Sequence, residues 1–248
     1  MNLPVGEYEI YATAPAYAQS ATKTIMIDDG SDVQLNFNDV GPPGNLRIDV
    51  RDVNSEAALD ARISIEEGQT PLVGYFGKDV YFTELQEAGH FEQTMAPGDY
   101  VLKITSGGGF TSAAQRVDTV IDSAQTTSLK INIDTLAQPQ QRGWYNADLH
   151  HHSDVLDGFT PAEYVMRSQL AAGVDITFLS DHDSVVNNRE MQSLSASRGM
   201  HFIAGTELSP SWGHFNAYPL DDDKQVEIDT GQATVQEIFG EARRLGAE

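Results

Sequence analysis

Two fold classes are predicted in tandem: an all-β, sandwich-like region over residues 1–134 and a layered α/β region after it. Three observations predict them. Apolar and polar residues alternate with period two through YEIYATA, TKTIMI, VQLNFN, LRIDVRD, ARISIEE, YVLKITS and SLKINID, as half-buried antiparallel strands require. From residue 144 onward that alternation gives way to short apolar strands separated by helix-like segments. Between the two lies TLAQPQQRG, residues 135–143, polar and with one proline, which reads as a linker.

Within the β-rich half an internal echo points to repeated modules. Pro4-Val5-Gly6-Glu7-Tyr8 opens three strands that end near Phe37, and Pro97-Gly98-Asp99-Tyr100 opens a similar set that ends near Ile133. The second set is preceded by a front half, residues 44–96, which the first lacks. Residues 1–40 are therefore expected to be the C-terminal part of one sandwich module and residues 44–134 a second module, with the chain beginning inside a domain. This half carries no evident chemistry. His90 is its single histidine, expected at the surface or in packing. SGGGF at 106–110 lacks the Lys-Ser/Thr of a phosphate loop and reads as a turn.

In the second half, YNADLH is expected to be a short buried strand. In TPAEYVMRSQLAAG, Thr160 is placed to cap a helix, Pro161 to take its first position, Glu163 to lie three after the cap and Gly173 to end it. VDITFLS reads as a nearly continuous apolar strand covered on both faces. A polar helix over 185–198 is broken by Gly199, after which HFIAGTELS is one strand and HFNAYPL another, and TVQEIFGEARRLGA is an amphipathic helix.

Composition narrows the chemistry. The 248 residues hold 15 Lys and Arg against 37 Asp and Glu, a formal charge of −22. That field repels phosphate backbones, so the expected partner is a small molecule and not a nucleic acid. No apolar run approaches the ~18–20 residues of a membrane span, and MNLPVGEYEI shows no signal-peptide pattern. The absence of cysteine excludes disulfides and thiolate sites, leaving imidazole and carboxylate to hold any metal.

Six of the seven histidines fall between residues 150 and 214. In α/β sheets reactive groups gather beyond the carboxyl ends of strands. Those ends read His150-His151-His152, Asp181-His182-Asp183 and Gly205-Thr206-Glu207, with His214 soon after. On an extended segment residues i and i+2 face the same way, so His150 and His152 point together and His151 elsewhere, to packing or solvent. Two imidazoles with a carboxylate from a neighbouring strand suit zinc, manganese or iron. Of Asp181 and Asp183, one is expected to act as a hydrogen-bond partner behind the ligands. His201 stands at the wrong end of its strand, and Asp221-Asp222-Asp223 reads as a solvated loop without the calcium-loop pattern. Ser153 and Ser180 neighbour histidines but lie in no G-x-S-x-G elbow, so a nucleophilic serine is discounted.

These segments also carry a family signature. DLHHHSDVLDG resembles the first motif of the PHP (polymerase and histidinol phosphatase) superfamily, roughly D-x-H-x-H-S followed by D-G. LSDHDS resembles the second motif, AGTELS the third, and GHFNAYPL the His-bearing strand that follows. The β-rich region leading into GWYNADLH resembles the CehA/McbA group of these metallohydrolases, and the PGxY-type turns resemble carboxypeptidase regulatory-like and transthyretin-like sandwich modules. The resemblance covers residues 143–248 and implies a distorted seven-stranded β/α barrel, of which residues 144–248 would be the N-terminal part. It also implies two or three divalent ions at the strand carboxyl ends. Position by position, it implies His150 and His152 on one ion, Glu207 bridging that ion to a second that His214 also binds, and His182 with Asp157 on a third. Asp181 and His182 are the catalytic candidates beside them.

In several members a histidine stands near the place of Asp157, and Leu156 replaces a small polar residue. Ligands that the family draws from later strands do not occur in this chain, and a complete barrel needs ~200–250 residues, so the chain is expected to stop within the barrel. The implied activity is attack of a metal-activated water on a phosphoester. Ester, amide or carbamate hydrolysis is the alternative that the CehA/McbA group favours. From another class comes a surface-binding sandwich protein with an inert barrel remnant, and a proofreading role beside a polymerase fits the acidic charge poorly. The company such sandwich modules keep implies a periplasmic or extracellular location.

Overall fold

The computed structural model describes residues 3–69, 79–108, 111–221 and 224–247. Gly109 and Phe110 of the SGGGF turn, and Asp222 and Asp223 of the acidic loop, lie outside the described residues.

β1 (Gly6–Ile10) and β2 (Lys23–Ile27) pair antiparallel as a sheet of their own, with Gly6 opposite Ile27. The next module has two sheets. In one, β3 (Gly44–Asp52) lies between β6 (His90–Met95) and β9 (Thr126–Ile133). In the other the order is β5 (Val80–Phe82), β4 (Arg62–Glu67), β7 (Gly98–Thr105), β8 (Gln115–Ile121). Alternate residues of both sheets, among them Leu46, Ile48, Ile63, Leu102, Ile104 and Ile133, meet in one apolar core. Burying each such side chain contributes about 1.5–3 kcal/mol. The result is a β-sandwich-like region, but not a purely antiparallel one. β8 lies in the opposite sheet, so the chain crosses over before β9 and arrives running parallel to β3.

The two Gly-x-Tyr segments share a local geometry. The Tyr8 hydroxyl donates to Pro4 O at 2.9 Å and the Tyr100 hydroxyl to Ala96 O at 2.8 Å, both across four residues. Gly6 faces Ile27 across β1–β2 as Gly98 faces Ile121 across β7–β8. The third strand expected in the first set, VQLNFN, is not formed. Its counterpart β9 is a strand because β3 pairs with it along eight residues, and among the described residues no strand stands in β3's position for 33–38.

At the end of β3, Asp52 is almost fully buried and ties the two ends of the module together. Its carboxylate accepts from Thr135 N at 3.3 Å, Ser55 N at 2.7 Å, Ser55 Oγ at 2.8 Å and Asn54 N at 3.0 Å. The bonds from Thr135 and Ser55 hold its pKa well below the ordinary aspartate value. A depressed carboxylate lends stability that is complete above the unfolded pKa of about 4 and is lost as pH falls through the folded value. Asp52→Asn is therefore expected to lower Tm at pH 7 and to flatten the decline of Tm below about pH 4, as followed by circular dichroism. A variant whose acid decline parallels the parent's would remove Asp52 from that role.

The remainder is a mixed α/β region of α1 (Ala162–Ala171), β10 (Ile176–Leu179), α2 (Asn188–Ser197), β11 (His201–Ala204), β12 (Thr206–Leu208), β13 (Phe215–Ala217) and α3 (Val235–Leu245). β10 and β11 pair in parallel, β12 and β13 antiparallel, and no closed barrel is formed among the described residues. Three expectations are corrected here. YNADLH is not a buried strand but an extended, mostly exposed segment with one bridge, Ala147 to Ile176. Its ladder is diverted because the Asp175 carboxylate takes the Asn146 N–H at 2.8 Å. Helix α1 begins one residue later than expected: Pro161, in extended conformation, is the cap whose carbonyl accepts from Tyr164 N and Val165 N, and the Thr160 side chain plays no part. HFIAGTELS breaks at Gly205, where an added Cβ would lie 2.6 Å from the Phe178 ring and 2.8 Å from Leu179 O.

The modules on either side of the linker at residues 135–143 are docked. Leu85, from the loop before β6, is buried with Val165, Met166, Leu179 and Met191 of the α/β region. Arg167 of α1 donates to Thr83 O at 2.8 Å and Phe82 O at 2.6 Å, and Arg198 reaches Asp60 Oδ2 at 2.7 Å and Leu85 O at 2.9 Å.

Candidate metal centre

The centre is built by four short segments held side by side. Residues 148–152 are extended, and backbone and side-chain bonds take the place of a ladder. Ser180 N donates to His151 O at 2.8 Å, His151 N to Ser180 Oγ at 3.2 Å, and Asn216 Nδ2 to Leu149 O at 3.2 Å. The two-residue period then acts as expected. His150 Nε2 and His152 Nε2 lie 3.0 Å apart on one side, while His151 turns away to Asp148, Nδ1 to Oδ2 at 2.7 Å. On the next segment His182 forms a single parallel bridge with Glu207 of β12. β13 returns antiparallel beside β12, bringing back the residues that follow His214.

Glu207 is the centre of the group. Its side chain is 5% exposed, and its Oε2 lies 2.9 Å from His150 Nε2 and 3.0 Å from His152 Nε2. Its Oε1 lies 3.0 Å from His214 Nδ1. His182 sits between, with Nδ1 3.5 Å from Glu207 Oε2 and Nε2 3.7 Å from Asp157 Oδ2. Its ring is 4.5 Å from that of His152 and 5.0 Å from that of His214, centroid to centroid. Three overlapping clusters result: His150–His152–Glu207, His152–Asp157–His182 and His182–Glu207–His214, with ligand atoms within 4.8 Å of one another in each. They give capacity for two or three divalent ions. Donor atoms about 2.0–2.2 Å from a tetrahedral ion lie roughly 3–3.5 Å apart, which the spacings around Glu207 approach, and imidazole with carboxylate is a donor set for zinc, manganese or iron.

The electrostatics favour ligation. Burial pushes the Glu207 carboxyl upward, but the hydrogen bond with His150 and the charges of His182, His150 and His152 together outweigh it and hold the group below the ordinary glutamate value. Burial, and then the neighbouring His182, lowers the pKa of His152, the direction that favours the neutral form ligation requires.

The other residues singled out in the sequence take different positions. Asp181 belongs to none of the clusters. Its buried carboxylate accepts Ser153 N and Ser153 Oγ, both at 2.6 Å, and so fixes the turn that follows His152. Asp183, at φ 48°, accepts Ser209 N at 3.0 Å. Asp157 stands exposed on that turn, and the glycine after it is required: a Cβ on Gly158 would lie 1.6 Å from Ser153 O. His201 begins β11 at the far end, away from the cluster. Sequence reasoning passed over Asn187, which donates to Ser153 Oγ at 2.8 Å, and Ser209, whose Oγ is 2.6 Å from His182 Nδ1. Ser209 had one signal, its place two residues beyond Glu207.

No family model matches the chain. Over 107 residues it is 33% identical to a 3',5'-nucleoside bisphosphate phosphatase of Chromobacterium violaceum, a match covering 41% of this chain and 37% of that protein. Over 66 residues it is 38% identical to a 5'-3' exoribonuclease of Haemophilus influenzae, covering 26% of this chain and 24% of that protein. The chain thus spans little more than a third of one of these curated relatives and about a quarter of the other. Among solved structures it is similar to a streptococcal ancillary pilin, at 17% identity over 55% of this chain and 44% of that one, with a TM-score of 0.38. A minor pilin of Streptococcus agalactiae matches at 17% identity over 55% and 63%, with a TM-score of 0.36. No helix among the described residues is long and apolar enough to cross a membrane. Behind its β-sandwich-like modules the chain carries a candidate metal centre whose donors and spacing are consistent with a metal-dependent hydrolase.

Proposed function

We propose that residues 144–248 are the N-terminal part of a PHP-type metallohydrolase that cleaves a phosphomonoester of a small molecule with two or three divalent ions, zinc, manganese or iron. The observation that carries the reading is the shared carboxylate. Glu207 presents Oε2 to His150 and His152 and Oε1 to His214, the disposition of a ligand between two ions. The segments that carry His152 and His182 lie against it, and the bisphosphate phosphatase likeness supports phosphoester chemistry.

In this reading His150, His152 and Glu207 hold one ion, Glu207 and His214 a second, and His182 with Asp157 a third. Such ions supply Lewis acidity and a water acidified toward neutral pH. The chain's own residues set the geometry. Asp181 and Ser153 hold the turn that carries Asp157, and the Glu207 carboxylate lies buried beneath the half-exposed rings of His150 and His214. Substrate is therefore expected to approach from the side of those rings. The strong negative charge disfavours a long nucleic acid and leaves a small phosphate ester as the fitting substrate.

The test is hydrolysis by purified protein loaded with Mn²⁺ or Zn²⁺, offered p-nitrophenyl phosphate, a nucleoside 3',5'-bisphosphate and naphthyl acetate. Phosphate release that disappears with chelator is expected. Turnover of the naphthyl ester alone would replace the phosphoesterase reading with the carbon-ester one, and a folded protein without bound transition metal would favour a non-catalytic sandwich protein.

A further inference from the structure

We propose that Ser209 is a positioning residue that commits His182 to one ion, an inference that rests on the metal-centre reading above. The need for it lies in the sharing of ligands. His182 belongs to two clusters, one with His152 and Asp157 and the other with Glu207 and His214. A neutral imidazole carries one N–H and one lone pair, so it serves one ion through one nitrogen.

The Ser209 hydroxyl decides which nitrogen that is. Ser209 Oγ donates to the Glu207 carbonyl at 2.9 Å, and a carbonyl can only accept. A hydroxyl has a single proton, so toward His182 Nδ1, 2.6 Å away, Oγ presents a lone pair and Nδ1 must carry the hydrogen. The Glu207 carboxylate 3.5 Å from the same nitrogen favours the same assignment. The lone pair is then on Nε2, the nitrogen 3.7 Å from Asp157 Oδ2. Histidines that bind metals characteristically donate their other N–H to an oxygen in this way, which fixes both tautomer and ring orientation.

The serine is itself well held. Its N–H donates to Asp183 Oδ1 at 3.0 Å, and Asp183 N donates to the same Glu207 carbonyl at 3.0 Å. The His182–Glu207 bridge keeps the two segments, and so the Ser209 and His182 backbones, in register. His182 therefore goes with Asp157, and His152 stays with His150 and Glu207. The cluster it leaves would retain Glu207 and His214 as protein ligands.

The experiment reads the tautomer and the ions separately. Long-range ¹H–¹⁵N spectra of the metal-free protein are expected to show His182 protonated at Nδ1 in the parent. In Ser209→Ala the two tautomers are expected to mix, and Ser209→Thr, which keeps the hydroxyl, to restore the parent pattern. In Mn²⁺ titrations followed by calorimetry, Ser209→Ala is expected to weaken one class of site by about 10–100-fold while the tightest class keeps its affinity, again with rescue by threonine. An Nε2–H tautomer in the parent overturns the proposal without any variant. So does an alanine variant with unchanged tautomer, or one in which all sites weaken equally. A parent with the expected tautomer that binds no Mn²⁺ instead overturns the metal-centre reading, and with it the assignment to an ion.

Discussion

Glu207→Gln is expected to abolish tight ion binding, the largest effect of any single substitution in this chain. Glutamine keeps the size and packing of the buried side chain, so the change is chemical. One oxygen becomes an amide nitrogen that cannot accept from or ligate anything, and the negative charge beside His150, His152 and His214 is removed. Residues that merely support metal ligands cost about 10–100-fold in affinity when removed, and a shared ligand should cost at least about 100-fold. If hydrolysis depends on these ions for several kcal/mol, the rate should fall by roughly 10³ or more, at about 1.4 kcal/mol per tenfold. Equilibrium dialysis with metal analysis, beside a phosphatase assay, measures both. His214→Ala is the useful contrast, because it touches only the Oε1 side and should spare the ion between His150 and His152. A glutamine variant that binds Mn²⁺ or Zn²⁺ as tightly as its parent would end the bridging role of Glu207.

Much of this centre was legible because its logic is local. An H-x-H on an extended segment puts two imidazoles on one side whatever the rest of the fold does, and His150 and His152 obey that geometry without being in a regular strand. Glu207 of AGTELS was readable as part of a strand, but it is the middle residue of β12 and not a strand terminus, because Gly205 splits the expected strand just before it. What could not be read is long-range. VQLNFN alternates as well as SLKINI does, but alternation names a face and supplies no neighbour; only the second segment has β3 beside it. Strands β5, β6 and β8 went unnamed for the opposite reason, being short or too polar to stand out, and pairing makes them strands. Asp181 stands next to His182, and nothing local reveals that its carboxylate is turned to Ser153. The docking of the modules is the clearest case. Leu85 sits in a polar loop, TELQEAGH, and Arg167 in mid-helix, where neither shows any periodic mark of an interface.

That interface carries the second large expectation, for Arg167→Ala. The guanidinium is 8% exposed and acts as a fork: Nε donates to Thr83 O at 2.8 Å, Nη2 to Phe82 O at 2.6 Å and to Glu84 Oε1 at 3.1 Å. Alanine would leave two carbonyls at the module boundary without partners, each costing about 1–3 kcal/mol, and would strand the Glu84 carboxylate nearby. A total loss of about 3–5 kcal/mol is expected, comparable to breaking a buried ion pair. Lysine should recover less than half, because one ammonium cannot reach both carbonyls in the fork geometry that the guanidinium provides. Leu85→Ala attacks the same seam from the sandwich side and should cost about 2–5 kcal/mol through the cavity it leaves among Val165, Met166, Leu179 and Met191. Urea denaturation measures these losses, and its shape distinguishes docking from ordinary packing. If docking couples the modules, the parent unfolds in one transition and Arg167→Ala in two, with the α/β region going first. The metal centre should register the change as well, because Leu179 is the last residue of β10 and the chain runs from it directly into Ser180, Asp181 and His182. Weaker Mn²⁺ binding in Arg167→Ala, with no ligand altered, would show that the sandwich holds the end of β10 in place. A variant that unfolds in one transition at the parent's urea midpoint would show that the arginine fork contributes nothing.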